Sequence, residues 1–161
     1  MDIEEKLATG VRALRAARGL TLEQLADRSG VSRSTISAIE RRETSPTAAV
    51  LDRLAGAFGV SMSALFAETD VGTDAATVPR PGHPPIARRA EQPVWKDPGS
   101  GYVRRQVSPG GTQHPTALVE VTFPPGRTVA FEGVARHTVT HQLVWVLDGE
   151  MEVTLDGVPR S

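Results

Sequence analysis

Apolar residues recur at helical spacing through the first 66 positions and at strand spacing from about position 95, with an aperiodic stretch between them. Ile3, Leu7, Val11 and Leu14 fall three and four apart, which predicts a first helix with one apolar face, stopped at Gly19. Thr21 caps a second helix whose inner face is Leu22, Leu25 and Ala26; Gly30 ends it and Val31 fills the turn. Ser32 caps a third, with Ile36 and Ile39 inward and Arg33, Ser34, Ser37 and Arg41 outward. Ser45-Pro46-Thr47 breaks the chain, and Thr47 caps a fourth helix that turns Val50, Leu51, Leu54 and Phe58 inward. Gly59 and Val60 turn the chain again, and Ser61 caps a short fifth helix through Met62, Leu65 and Phe66. Five short helices of this size form one compact but small core.

The stretch from 68 to 93 is rich in Pro, Gly, Ala and Thr and reads as a linker, extended where Pro79, Pro81, Pro84 and Pro85 fall. From Trp95 onward the period is two. Strands are predicted over 102–107 and 117–123, with a short extended piece at 128–131. Residues 143–147, Leu-Val-Trp-Val-Leu, read as a buried strand; Asp148-Gly149 signals a hairpin, and Met151 to Leu155 supplies the partner. Asp156-Gly157 opens a further turn. The fold class expected is α+β in two domains: helices over 1–67, a linker over 68–93, and an antiparallel β domain over 94–161 that looks incomplete.

The formal net charge of −1 removes a globally basic nucleic-acid binder from consideration, so attraction to phosphate must come from local charge. Residues 1–66 carry nine basic and eight acidic side chains, and the remainder nine and eleven, which is a weak asymmetry. The absence of cysteine excludes disulfides and thiolate metal sites. The acidic start, MDIEEKLATG, has no apolar core of secretory length, and no run approaches the roughly 18 apolar residues that span a bilayer. A cytoplasmic location is expected.

The informative segment is Thr21 to Arg42, TLEQLADRSGVSRSTISAIERR. It predicts two short helices at a fixed angle, the second with a bare basic and hydroxyl face, the shape that places a helix in the DNA major groove. Ala26 permits close helix approach, Gly30 permits the turn, and Val31, Ile36 and Ile39 lock the packing. Arg33, Ser34 and Ser37 lie in the first turns of the third helix, where side chains reach base edges, and Ser32 begins it. Thr21, Gln24, Thr35, Arg41 and Arg42 are placed for phosphates. Glu40 is expected to be structural, pairing with a nearby arginine or the following backbone.

These residues, LRAARGLTLEQLADRSGVSRSTISAIERRETSPT followed by LDRLAGAFGVSMSALF, resemble the Xre-type, lambda-repressor-like helix-turn-helix domain. The resemblance implies a five-helix bundle that binds double-stranded DNA as a dimer and reads bases from the start of helix three. It departs from the family at Arg42, where Gly is common.

The stretch PPGRTVAFEGVARHTVTHQLVWVLDGEMEVTLDG resembles the start of a cupin β-barrel. In that family three histidines and a glutamate usually hold a divalent metal. Here the glutamate position falls on Gln142, the second histidine position on His137 and the first near Ala135, while His141 is extra. No metal and no other cofactor is therefore expected. Phe131 and Trp145 are expected in the barrel core, and with His137, His141 and Gln142 they are the candidate lining of an effector pocket. His83 and His114 carry no signal. The β half is expected either to belong to a longer protein or to complete its sheet against a second chain, leaving edge strands open meanwhile.

Together the two resemblances imply a regulator, a repressor sooner than an activator, that acts as a homodimer on a palindromic operator and responds to a small molecule through its cupin-like half. Two rivals are a metal-dependent cupin enzyme with a helix-turn-helix appendage, which Gln142 opposes, and an antitoxin-type autoregulator, which the added β half opposes. No nucleophile-and-base arrangement or Gly-rich phosphate loop is present, so no enzymatic activity is expected.

Overall fold

The computed structural model describes residues 2–66, 86–109, 116–131 and 141–160. Four α-helices come first: α1 (Ile3–Ala17), α2 (Leu22–Ser29), α3 (Arg33–Glu40) and α4 (Ala48–Phe58). Each begins where a polar side chain accepts a backbone N–H: Asp2 for α1, and Thr21, Ser32 and Thr47 for the others. At Gly19, Gly30 and Gly59 the backbone enters the left-handed region, which ends α1, α2 and α4. The core is built from Leu7, Val11, Leu25, Ile36, Ile39, Leu51, Leu54 and Leu65, each almost completely buried.

The expected fifth helix is not an α-helix. Met62–Phe66 forms a 3-10 helix, with Ala64 N–H bonded to the Ser61 carbonyl. Five residues are too few to repay nucleation of an α-helix, and the tighter form suffices to bury Leu65 and Phe66.

A three-stranded antiparallel sheet follows, β1 (Val94–Lys96), β2 (Val103–Gln106) and β3 (Val119–Thr122), in spatial order β1-β2-β3. Val94 pairs with Arg105 and Arg104 with Val121. This sheet shares the helical core. Trp95 and Tyr102 are buried in the same cluster as Phe58 and Phe66, with Trp95 against Phe66 at 5.9 Å between ring centroids and against Tyr102 at 5.8 Å. Arg104 Nη2 donates to Ser63 Oγ at 2.6 Å, fastening β2 to the 3-10 helix. Most of the predicted linker lies outside the described residues; its described end contains a 3-10 turn, Arg89–Glu91.

The later β elements depart from expectation. Residues 143–147 form no strand, and Leu143 is 100% and Trp145 84% exposed rather than buried. Phe131, expected in a barrel core, is also exposed, and residues 128–131 form no strand. The hairpin forms one turn later than expected: β4 (Val153–Leu155) pairs with β5 (Val158–Arg160) around Asp156-Gly157. Asp156 at φ 50° and Gly157 at φ 79° are both left-handed, as a two-residue turn matching strand twist requires. At Asp148-Gly149 only Gly149 has positive φ, so that dipeptide does not close a hairpin, and the apolar run before it gains no strand partner among the described residues. Among the described residues no helix is long and apolar enough to cross a membrane.

Candidate nucleic-acid interface

The α2–turn–α3 unit is fixed by local hydrogen bonds at both helix starts. Thr21 Oγ1 accepts from Gln24 N at 3.1 Å, and Gln24 Oε1 accepts from Thr21 N at 2.9 Å, a reciprocal box that leaves the Gln24 amide NH2 free to donate outward. Ser29, buried at the end of α2, donates to the Leu25 carbonyl at 2.7 Å and accepts from Val31 N at 3.2 Å. Gly30 N–H reaches the Ala26 carbonyl at 2.8 Å. Ser32 Oγ accepts from Thr35 N at 3.1 Å and lies 2.7 Å from Thr35 Oγ1 and 3.0 Å from Ser34 Oγ.

These bonds orient the outer face of α3. Ser32, Arg33 and Ser34 are exposed, Thr35 and Ser37 half-buried, and Ile36 and Ile39 buried on the opposite side. No described residue holds the Arg33 guanidinium, so its two donor edges stay open at the helix start. Thr21 and Gln24 are exposed at the start of α2.

The C-terminal end of α3 is built from charge pairs. Arg42 adopts φ 64°, the left-handed position that usually falls to Gly. Its N–H bonds the Ile39 carbonyl at 3.0 Å, and Glu43 N–H bonds the Ala38 carbonyl at 2.8 Å, closing the helix. Arg41 clasps Glu43 with two bonds, Nε at 2.7 Å and Nη2 at 2.8 Å, and also donates to Ser37 Oγ. The hydrogen-bonded pairing holds the Glu43 carboxyl below its ordinary range and the Arg41 guanidinium above its own. Arg42 Nη1 lies 3.1 Å from Glu5 Oε1. Glu40 is structural, as expected: buried, it takes two bonds from Arg15, at 2.7 and 2.8 Å, while its carbonyl accepts from Arg12 Nη2 at 2.5 Å. Its hydrogen bonds to the Glu40 carboxylate raise the Arg15 guanidinium above its ordinary value. Beside this end lies an open cleft of about 520 Å³ lined by Glu5, Thr9, Arg12, Glu40, Arg41 and Arg42 among others.

Glu43 and Ser29 were missed by sequence reasoning. A Ser just before the turn glycine was a readable signal for Ser29; the Glu43 pairing depends on the left-handed Arg42, which the family's usual Gly at that position signalled.

The candidate effector residues that are described lie exposed. Phe131 is 51% exposed, His141, Gln142 and Trp145 are exposed, and His137 lies outside the described residues.

Residues 11–65 match the helix-turn-helix family model. The chain is 28% identical over 160 residues to the HTH-type transcriptional regulator PuuR of Escherichia coli, a match covering 96% of this chain and 77% of that protein. Control protein C.SmaI of Serratia marcescens is 43% identical over 66 residues, which cover 41% of this chain and 79% of its own. The crystal structure of the restriction-modification controller protein C.AhdI from Aeromonas hydrophila aligns at 32% identity with a TM-score of 0.38, covering 38% of this chain and 94% of that one.

Proposed function

The chain belongs to the helix-turn-helix family, and on that premise we propose that it is a sequence-specific, DNA-binding transcriptional regulator, a repressor, working in the cytoplasm and not an enzyme. The carrying observation is the outer face of α3, where Arg33 and Ser34 stand exposed on a helix start that Ser32 caps and Ile36 and Ile39 anchor. In the major groove Arg33 makes a bidentate contact to guanine, worth about 1–3 kcal/mol of discrimination. Ser34 and Ser37 donate or accept and specify less sharply. Ser32, Thr35, Thr21, Gln24, Arg41 and Arg42 lie around this face and take phosphates; Gln24 does so through its free NH2, and Arg41 by exchanging Glu43 for a phosphate oxygen.

One α3 reads only a few base pairs, so a homodimer on an inverted repeat is the economical arrangement, with half-site centres about one helical turn apart or a multiple. In the division proposed, residues 1–67 bind DNA, 68–93 connect, and 94–161 form a cupin-like unit that holds the dimer or senses a small molecule. An effector then alters operator affinity by its differential affinity for the DNA-competent state.

Selection of bound duplexes from a random pool tests the reading. Enrichment of an inverted repeat with that spacing is expected; a bound pool as random as the input overturns it.

A further inference from the structure

The N-terminus of α4 is capped from outside its own unit. Asp97, in the turn after β1, is buried, and its Oδ1 accepts the Ala48 N–H at 2.8 Å across 49 residues of sequence. The local cap is weaker: Thr47 Oγ1 accepts from Val50 N at 3.5 Å, the limit of a useful bond. The carboxylate also lies at the positive end of the helix dipole. Its other oxygen accepts from Ser100 N at 2.6 Å and from Ser100 Oγ, while Asp97 N–H bonds the Tyr102 carbonyl at 2.8 Å. The turn is seated on the cap itself: a Cβ built on Gly99 would lie 3.3 Å from Thr47 Cγ2. On the sheet side, Trp95 and Tyr102 flank Asp97 and are locked in the core. On the helix side, only residues 41–47 separate α4 from the end of α3, and they carry Arg41 and Arg42.

We propose that Asp97 is a positioning residue for DNA binding, a strut by which the β sheet fixes the start of α4 and, through the 41–47 loop, the phosphate-facing end of α3. The inference rests on the DNA-binding reading above. It makes the sheet a mechanical part of the reading head: a change in how the sheet sits, from ligand or partner, reaches Arg41 and Arg42 through one carboxylate. Asp97→Ala removes the strut. Asp97→Asn keeps an acceptor for Ala48 but turns a donor toward Ser100, so it restores part of the function.

The test uses the full chain and the duplex enriched by selection, at a temperature where circular dichroism shows every variant folded, so that lost stability cannot by itself lower affinity. Asp97→Ala is expected to weaken binding about fivefold or more, Asp97→Asn less. Gly99→Ala, whose methyl presses on both Thr47 Cγ2 and the Asp97 carboxylate, is expected to weaken it in the same direction but less. Amide hydrogen exchange gives a second readout: in the wild type, duplex binding slows exchange both at 47–50 and at 95–102, and in Asp97→Ala the slowing at 95–102 disappears. Wild-type affinity in folded Asp97→Ala overturns the strut, as does wild-type exchange at 95–102 that ignores DNA, which decides the matter if Asp97→Ala does not fold. A wild-type chain that binds no duplex brings down the DNA-binding reading instead, and the strut with it.

Discussion

Two side chains around the end of α3 carry opposite consequences for stability and binding. Arg42 sits in the left-handed region, which costs an L-residue about 1–2 kcal/mol, and its exposed pair with Glu5 returns less than ~1 kcal/mol. Arg42→Gly relieves the strain but adds unfolded-chain entropy, so a gain of about 0.5 kcal/mol is expected in urea unfolding, together with weaker DNA binding from the lost cation. A loss of stability would show that the Glu5 pair outweighs the backbone strain. Glu40 is the converse. Removing it leaves the partly buried Arg15 guanidinium with only its bond to the Leu20 carbonyl, so Glu40→Ala is expected to cost about 2–3 kcal/mol. The caps Thr21, Ser32 and Thr47 were legible because a cap and its helix adjoin in sequence. The partners of Glu40 were legible only in kind, since Arg12 and Arg15 lie 28 and 25 residues away.

At the scale of elements, α1 meets the 3-10 helix at Gly10, where a Cβ would collide with the Leu65 carbonyl oxygen. Ala normally stabilises a helix interior over Gly by about 0.5–1 kcal/mol. Here the sign is expected to reverse: Gly10→Ala should destabilise by about 1–3 kcal/mol, measured by denaturant unfolding, because backbone must move to admit the methyl. A stabilised variant would mean that the two elements are not held this close. The helices were legible because their apolar faces repeat within one element. The hairpin was misplaced because two Asp-Gly dipeptides lie eight residues apart and both carry the turn signal; backbone conformation chose Asp156-Gly157. The 143–147 run shows that apolar composition predicts burial only where a partner surface exists.

For the whole molecule, the consequential feature is that sheet and helices share one core, which no linker composition could reveal. The two tryptophans report on it. Trp95 is 3% exposed and Trp145 84%, so acrylamide should quench one emission component readily and spare the other, with Trp145→Phe removing the quenchable part. Two equally quenched components would deny the shared core. Asp97 makes the same junction sensitive to acid. Burial opposes its charge, but hydrogen bonds from the Ser100 hydroxyl and the amides of Ser100, Ala48 and Gly99 outweigh this and hold the carboxyl below the ordinary aspartate range. Its stabilisation is therefore present above the unfolded value of about 3.9 and is lost as pH falls through the folded one. Melting curves should weaken below about pH 4, and Asp97→Asn should flatten part of that decline.

The most direct measurement is the affinity of the wild type and Arg33→Ala for the selected duplex and for a random one, at fixed salt. A base-reading Arg33 makes the substitution cost about 5- to 150-fold on the selected duplex, the equivalent of 1–3 kcal/mol, and much less on the random one. Equal losses on both would leave α3 a mere phosphate contact and contradict the proposal that it is the reading helix.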